Sequence, residues 1–166
     1  TTSSAQVAVI YNNSRIPYNS SDDFLAYGNS WSDIESYSPS LLDSSYPNNL
    51  SQPVSKYLYS ASNSTLYLVD INGCYSISSD LSSEYGQNYS QLITNQLYPS
   101  SIFAKFNINN CKNATQFVKT PNQSTVFYVN DGQKRLITRW DTLVSLTGTT
   151  NPSITIISNS TLDTIP

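Results

Sequence analysis

The sequence predicts an α+β fold made of about three tandem units, each a β-hairpin followed by short helices, packed into one compact body. A repeated hairpin motif carries the expectation. "STLYLVDINGCYSI" (Ser64 to Ile77) aligns with "STVFYVNDGQKRLI" (Ser124 to Ile137), matching Ser-Thr, four apolar positions, Asp or Asn, and a turn glycine, with Gly73 answering Gly132. A weaker first copy is "VAVIYNNSRIPY" (Val7 to Tyr18). Each copy is followed by a short segment with helical spacing that ends in glycine: "DDFLAYG", "SSEYG" and "WDTLVSLTG". Each then runs through a polar stretch to a stop at Pro47, Pro99 or Pro166. The three units span roughly 5–47, 56–99 and 113–166.

Taken in order, the first unit pairs Val7 to Tyr11 with Arg15-Ile16 through an Asn12-Asn13 turn, since asparagine tolerates the left-handed region. The second and third units turn at Asn72-Gly73 and Asn130-Asp131-Gly132, where glycine adopts positive φ without steric cost. Val126, Phe127, Tyr128 and Val129 form the strand entering the last turn. Gly28, Gly86 and Gly148 mark helix C-termini, and the later prolines stop a second short helix. Units this small cannot bury an apolar face alone and must pack on one another.

Composition points to the compartment. Of 166 residues only 11% are charged, His and Met are absent, and Ser, Thr and Asn together number 63. The 38% hydrophobic content argues against disorder. No apolar run is long enough to span a bilayer, and no basic-then-apolar leader is present, so the start at Thr1 fits a secreted chain after signal removal. Asn12, Asn19, Asn49, Asn63, Asn88, Asn113, Asn122 and Asn159 open Asn-x-Ser/Thr acceptors. Eight exceeds the roughly five that chance gives, and their even spread predicts covalent N-glycans over most faces of the protein. Cys74 and Cys111 are the only cysteines, and with the acceptors they predict one disulfide in an oxidising, extracellular compartment.

Several chemistries are excluded or unsupported. Without histidine there is no Ser-His-Asp or Cys-His arrangement and no common zinc site. No phosphate-cradling glycine loop exists, and no cofactor is expected. The carboxylate pairs Asp33 with Glu35 and Asp80 with Glu84 read as solvated charges, and Asp22-Asp23 is at most a loose calcium candidate. The chain is expected not to be an enzyme. Its acidic, Tyr-rich character predicts no nucleic-acid partner. Residues 1–99 carry eight acids against two bases, and the remainder six bases against three acids. Opposite poles of this kind attract identical neighbours head to tail.

The third unit, "FVKTPNQSTVFYVNDGQKRLITRWDTLVSLTG" to "ISNSTLDTIP", resembles a tandem repeat of secreted and cell-surface proteins of bacteria and archaea. The shared features are the aromatic strand, the glycine turn, Lys-Arg before an aliphatic residue, the helix to glycine and the terminal aliphatic-Pro. "FLAYGNSWSDIESYSPSLLDSSYP" in the first unit resembles the latter half of that repeat, whereas the second unit has Cys74-Tyr75 in place of Lys-Arg. The resemblance implies an extracellular, modular, surface-associated role and supplies no catalytic residues.

Two functions follow as expectations. The first is a structural subunit of a glycosylated cell-surface filament or layer, a homopolymer, with Val7, Val9 and Tyr11 adding a strand to a neighbour. The second is a carbohydrate-binding or adhesive module using Trp31, Tyr57 and Tyr59 as a stacking platform. Trp140, beside Leu143 and Leu146 on one helix face, is expected in the core, and so, on the packing reading, is Trp31.

Overall fold

A computed structural model describes residues 6–166 apart from 12, 47, 50–52, 61–62, 89 and 91–107. The fold is α+β. In the first unit, β1 (Ala8–Tyr11) and β2 (Ser14–Pro17) form an antiparallel hairpin, followed by α1 (Ser21–Ala26) and α2 (Pro39–Ser45), and β3 (Asn48–Asn49) returns parallel to β2. The second unit is the antiparallel set β4 (Tyr57–Ser60), β5 (Thr65–Asp70) and β6 (Gly73–Ile77), then α3 (Ser79–Glu84) and β7 (Lys112–Asn113), parallel to β6. The third is β8 (Phe117–Lys119), β9 (Val126–Asn130) and β10 (Gln133–Ile137), then α4 (Trp140–Thr147), β11 (Thr155–Ile156) parallel to β8, and α5 (Asn159–Leu162). Each unit therefore has its own small sheet.

The turns explain the register. Asp131 and Gly132 both take positive φ, 52° and 69°, the primed geometry that matches strand twist. In the second unit the innermost pair is Asp70 with Gly73, so Gly73 occupies the position of Gln133 and not that of Gly132. The two hairpins share a register, but the glycine lies one place later because Ile71 and Asn72 make the turn without positive φ. Asn13 carries φ 59° in the first turn; Asn12 lies outside the described residues. Gly28, Gly86 and Gly148 all adopt the left-handed conformation that ends a helix. Ser20 and Ser78 cap α1 and α3 through their hydroxyls. The second short helix of the middle unit and its stop at Pro99 lie outside the described residues.

The sheets stack, and alternation along β5 shows how. Tyr67 and Val69 join the core formed with Ile16, Phe24 and Tyr27 of the first unit. Leu66 and Leu68, on the opposite face, join the core formed with Val118, Val129, Ile157 and Ile165 of the third. The middle sheet is thus buried on both faces, and the two cores lie between successive units.

The predicted Cys74–Cys111 disulfide is present. It ties β6 to the residue preceding β7, whose first pair is Tyr75 with Lys112, and closes a separation of 37 residues. A loop of that length stabilises the fold by about 3–4 kcal/mol in the chain-entropy account. Reduction, or Cys74→Ser with Cys111→Ser, is expected to lower the unfolding free energy by that amount, read from the shift of the urea midpoint.

Candidate functional site

Three sets of residues hold the units together. Tyr27 and Tyr85 each sit seventh from the start of their helix, just before the terminating glycine, and both are buried. The Tyr27 hydroxyl donates to the Ser55 carbonyl, and that of Tyr85 to the Thr115 carbonyl at 2.7 Å. Ser55 and Thr115 stand two residues before β4 and β8, so both tyrosines engage the next unit at one equivalent point. Gly86 then meets the turn of the next hairpin: a Cβ on Gly132 would lie 3.1 Å from the Gly86 Cα. The Gly132 N–H donates to the Glu84 carbonyl at 3.1 Å and the Asp131 N–H to the Glu84 carboxylate at 2.7 Å.

The second set is a buried polar network that crosses all three units. The Lys56 ammonium donates to Asp23 Oδ1 at 2.5 Å and to the Ser160 and Thr161 hydroxyls at 3.2 Å each. Thr161 donates in turn to Asp70 Oδ2 at 2.5 Å, and Asp70 also accepts the Ser158 hydroxyl at 2.7 Å and the Ser158 N–H at 2.9 Å. Ser158 is the N-cap of α5, so the end of β5 positions the last helix of the following unit. Asp23, Asp70, Ser158 and Thr161 are buried, and each has partners, as desolvated polar groups require.

The third set closes the C-terminal stop. The Lys134 N–H donates to the Pro166 carbonyl at 2.6 Å, and its ammonium to the Leu162 and Ile165 carbonyls at 3.0 and 2.5 Å. Beside β2 and β6, the corresponding place is occupied by β3 and β7. Among the described residues no strand pairs with the outer edge of β10.

The sequence-predicted residues fall in different places. Val7, Val9 and Tyr11 pack against the core shared by the first two units, so their side chains are committed to the chain's own interior, and the outward side of β1 is that of Ile10. Tyr57 is buried among Leu66, Leu68 and Tyr85 and offers no platform, because alternation turns it inward on β4; Tyr59 is half-buried. Trp31 is exposed and lies on Phe24 with ring centroids 5.0 Å apart. Trp140 is also exposed, contrary to its expected core position. Leu143 alone takes the core side of α4, with Leu146 exposed too. Of the glycan acceptors, Asn19, Asn63, Asn88, Asn113, Asn122 and Asn159 are exposed. Asn49 belongs to β3, and Asn12 lies outside the described residues.

The carboxylate pairs have local structural partners. Asp33 accepts the Ser30 N–H to cap a turn, Glu35 accepts the Tyr37 hydroxyl, and Glu84 holds the neighbouring turn. Asp23 is occupied by Lys56, which removes the calcium candidate at Asp22-Asp23. Among the described residues no cluster of acidic, Cys or His side chains could hold a metal, and no helix is long and apolar enough to cross a membrane.

Burial pushes the Tyr57, Tyr85 and Tyr75 phenols upward, opposed for Tyr57 by the Thr164 hydroxyl, for Tyr85 by that of Thr155 and for Tyr75 by the Ile156 carbonyl. Their ionisation is therefore suppressed in the folded chain and ordinary in the unfolded one. Their stabilising contribution is complete below the unfolded pKa of 10.0 and is lost as pH rises past it. Thermal midpoints are expected to fall steeply above pH 10.0, with little His-type titration between about pH 6 and 9.

Comparison with known proteins returns no match: no protein-family model, curated protein or solved structure is detectably similar to this chain.

Proposed function

We propose that the chain is a structural subunit of an extracellular, N-glycosylated cell-surface assembly, a filament or layer of identical copies. The carrying observation is that the helix position by which one unit meets the next is exposed on the last described unit. Leu146, seventh in the last unit's helix, is exposed, whereas Tyr27 and Tyr85 at that place in the first two units are buried in the cores shared with the unit that follows. Repeat units stack by burying such positions against a neighbour, so an exposed apolar residue there favours continued stacking. The disulfide, the exposed acceptor asparagines and the low charge fit an extracellular setting.

Strand addition has a specific place in this reading. At the outer edge of β10, where the first two units carry a short parallel strand, the chain's own Pro166 carbonyl takes the Lys134 N–H, so a neighbour's N-terminal segment would pair with the rest of that edge, from Arg135 to Ile137. The donor cannot include Val7 to Tyr11, because these residues support the first core. Deleting residues 1–5 is expected to leave one cooperative unfolding transition and to reduce assembly, measured by light scattering. Unchanged assembly after that deletion would remove the strand-addition component.

Exposed Trp31, stacked on Phe24, supports the alternative of a carbohydrate-binding or adhesive module. That reading predicts a monomer that is retained on a glycan array and loses retention on Trp31→Ala.

A further inference from the structure

The contact that joins one unit to the next occurs twice inside the chain, and both of its halves are present, unmated, at the two ends. On the helix half, the seventh residue is Tyr27, Tyr85 and Leu146 in the three units. The two tyrosines are 2% and 0% exposed, and Leu146 is 55% exposed. The fourth helical residue, by contrast, is buried in all three: Phe24, Ser82 and Leu143. The helices therefore sit on their own sheets in the same way, the last being two residues longer so that Leu146 lies one place further from its glycine than Tyr27 and Tyr85 do. Gly148 agrees, since a Cβ there would meet nothing within 4 Å, while Gly86 is packed against Gly132.

On the strand half, register fixes the equivalent position one pair out from each turn: Ile10, Val69 and Val129. Val69 shares a core with Tyr27, and Val129 shares a core with Tyr85. They are 1% and 0% exposed, and Ile10 is 38% exposed. Each buried helix residue thus shares a core with the strand residue of the next unit, and only Leu146 and Ile10 are left over.

We infer that Leu146 of one copy docks on the Ile10 face of a second copy, so that the internal stack of units continues from chain to chain. This rests on the reading of the chain as an assembling subunit and names the surfaces it uses. The interface joins two different patches head to tail, so it builds an open filament where the rotation per subunit does not close and a ring where it does.

The test uses Ile10→Asp and Leu146→Asp in the full chain, each blocking one half of the contact. Both positions are exposed enough that thermal midpoints should match the wild type, with Ile10→Ser and Leu146→Ser as milder replacements should either fail to fold. Each variant alone is expected to associate at least tenfold more weakly and to sediment as a single subunit. Mixed in equal amounts, they are expected to form a two-subunit complex that grows no further, because the intact Leu146 of one meets the intact Ile10 of the other. A mixture that remains two monomers would overturn the pairing. Polymerisation unchanged in both variants would overturn it too, while leaving the assembly reading in place; a wild-type chain that never assembles would overturn both.

Discussion

Replacing Lys56 by methionine is expected to lower the unfolding free energy by about 3–5 kcal/mol, a large part of the roughly 5–15 kcal/mol that holds a domain together. The side chain lies at the junction of the three units, with its ammonium on Asp23 of the first and on Ser160 and Thr161 of the third. Its removal leaves a buried carboxylate without a counter-charge and takes a donor from the hydroxyls that link it to Asp70. The cost arises from the stranded charge more than from the lost attraction. Replacing Asp23 by leucine in the same chain should therefore recover much of the loss. Urea unfolding with an unchanged slope and a lower midpoint is the expected signature. A change below about 1 kcal/mol would place the pair among solvated surface ion pairs and remove the network as a joint between units.

Tyr85→Ala is expected to cost about 3–5 kcal/mol, because it empties the centre of the core shared by the second and third units. Tyr85→Phe removes only the hydrogen bond to the Thr115 carbonyl and should cost about 1 kcal/mol. Leu146→Ala, at the equivalent helix position of the last unit, should stay within about 0.5 kcal/mol in the isolated chain. The contrast matters more than either value. It separates a residue buried against the next unit from one that no described unit covers.

The hairpins and the helix-ending glycines were legible in the sequence because each depends on local chemistry: apolar alternation, a turn residue that tolerates positive φ, and glycine at the left-handed stop. The short strands β3, β7 and β11, two residues each, were not. So brief a segment carries no periodicity, and it becomes a strand only because a neighbouring edge is present. Side assignment failed for a related reason. Val7, Val9 and Tyr11 were legible as one face of a strand, but nothing local says which face of the sheet turns inward. Trp140 was misplaced because an apolar pair on a helix looks the same whether the chain or a neighbour covers it. The buried network escaped notice because its members are scattered from Asp23 to Thr161. Its one local trace was Asp70 at the end of an otherwise apolar strand. The Tyr-Gly pairs at 27–28 and 85–86 were readable and would have marked the contact between units.

The most direct test of the account is the mass of the natively purified protein, measured by light scattering over a range of concentrations and imaged in negative stain. Open head-to-tail stacking predicts a mass that rises with concentration and linear particles one subunit wide. A mass that stays, at every concentration, at one 18.4 kDa polypeptide plus whatever glycans it carries would contradict it.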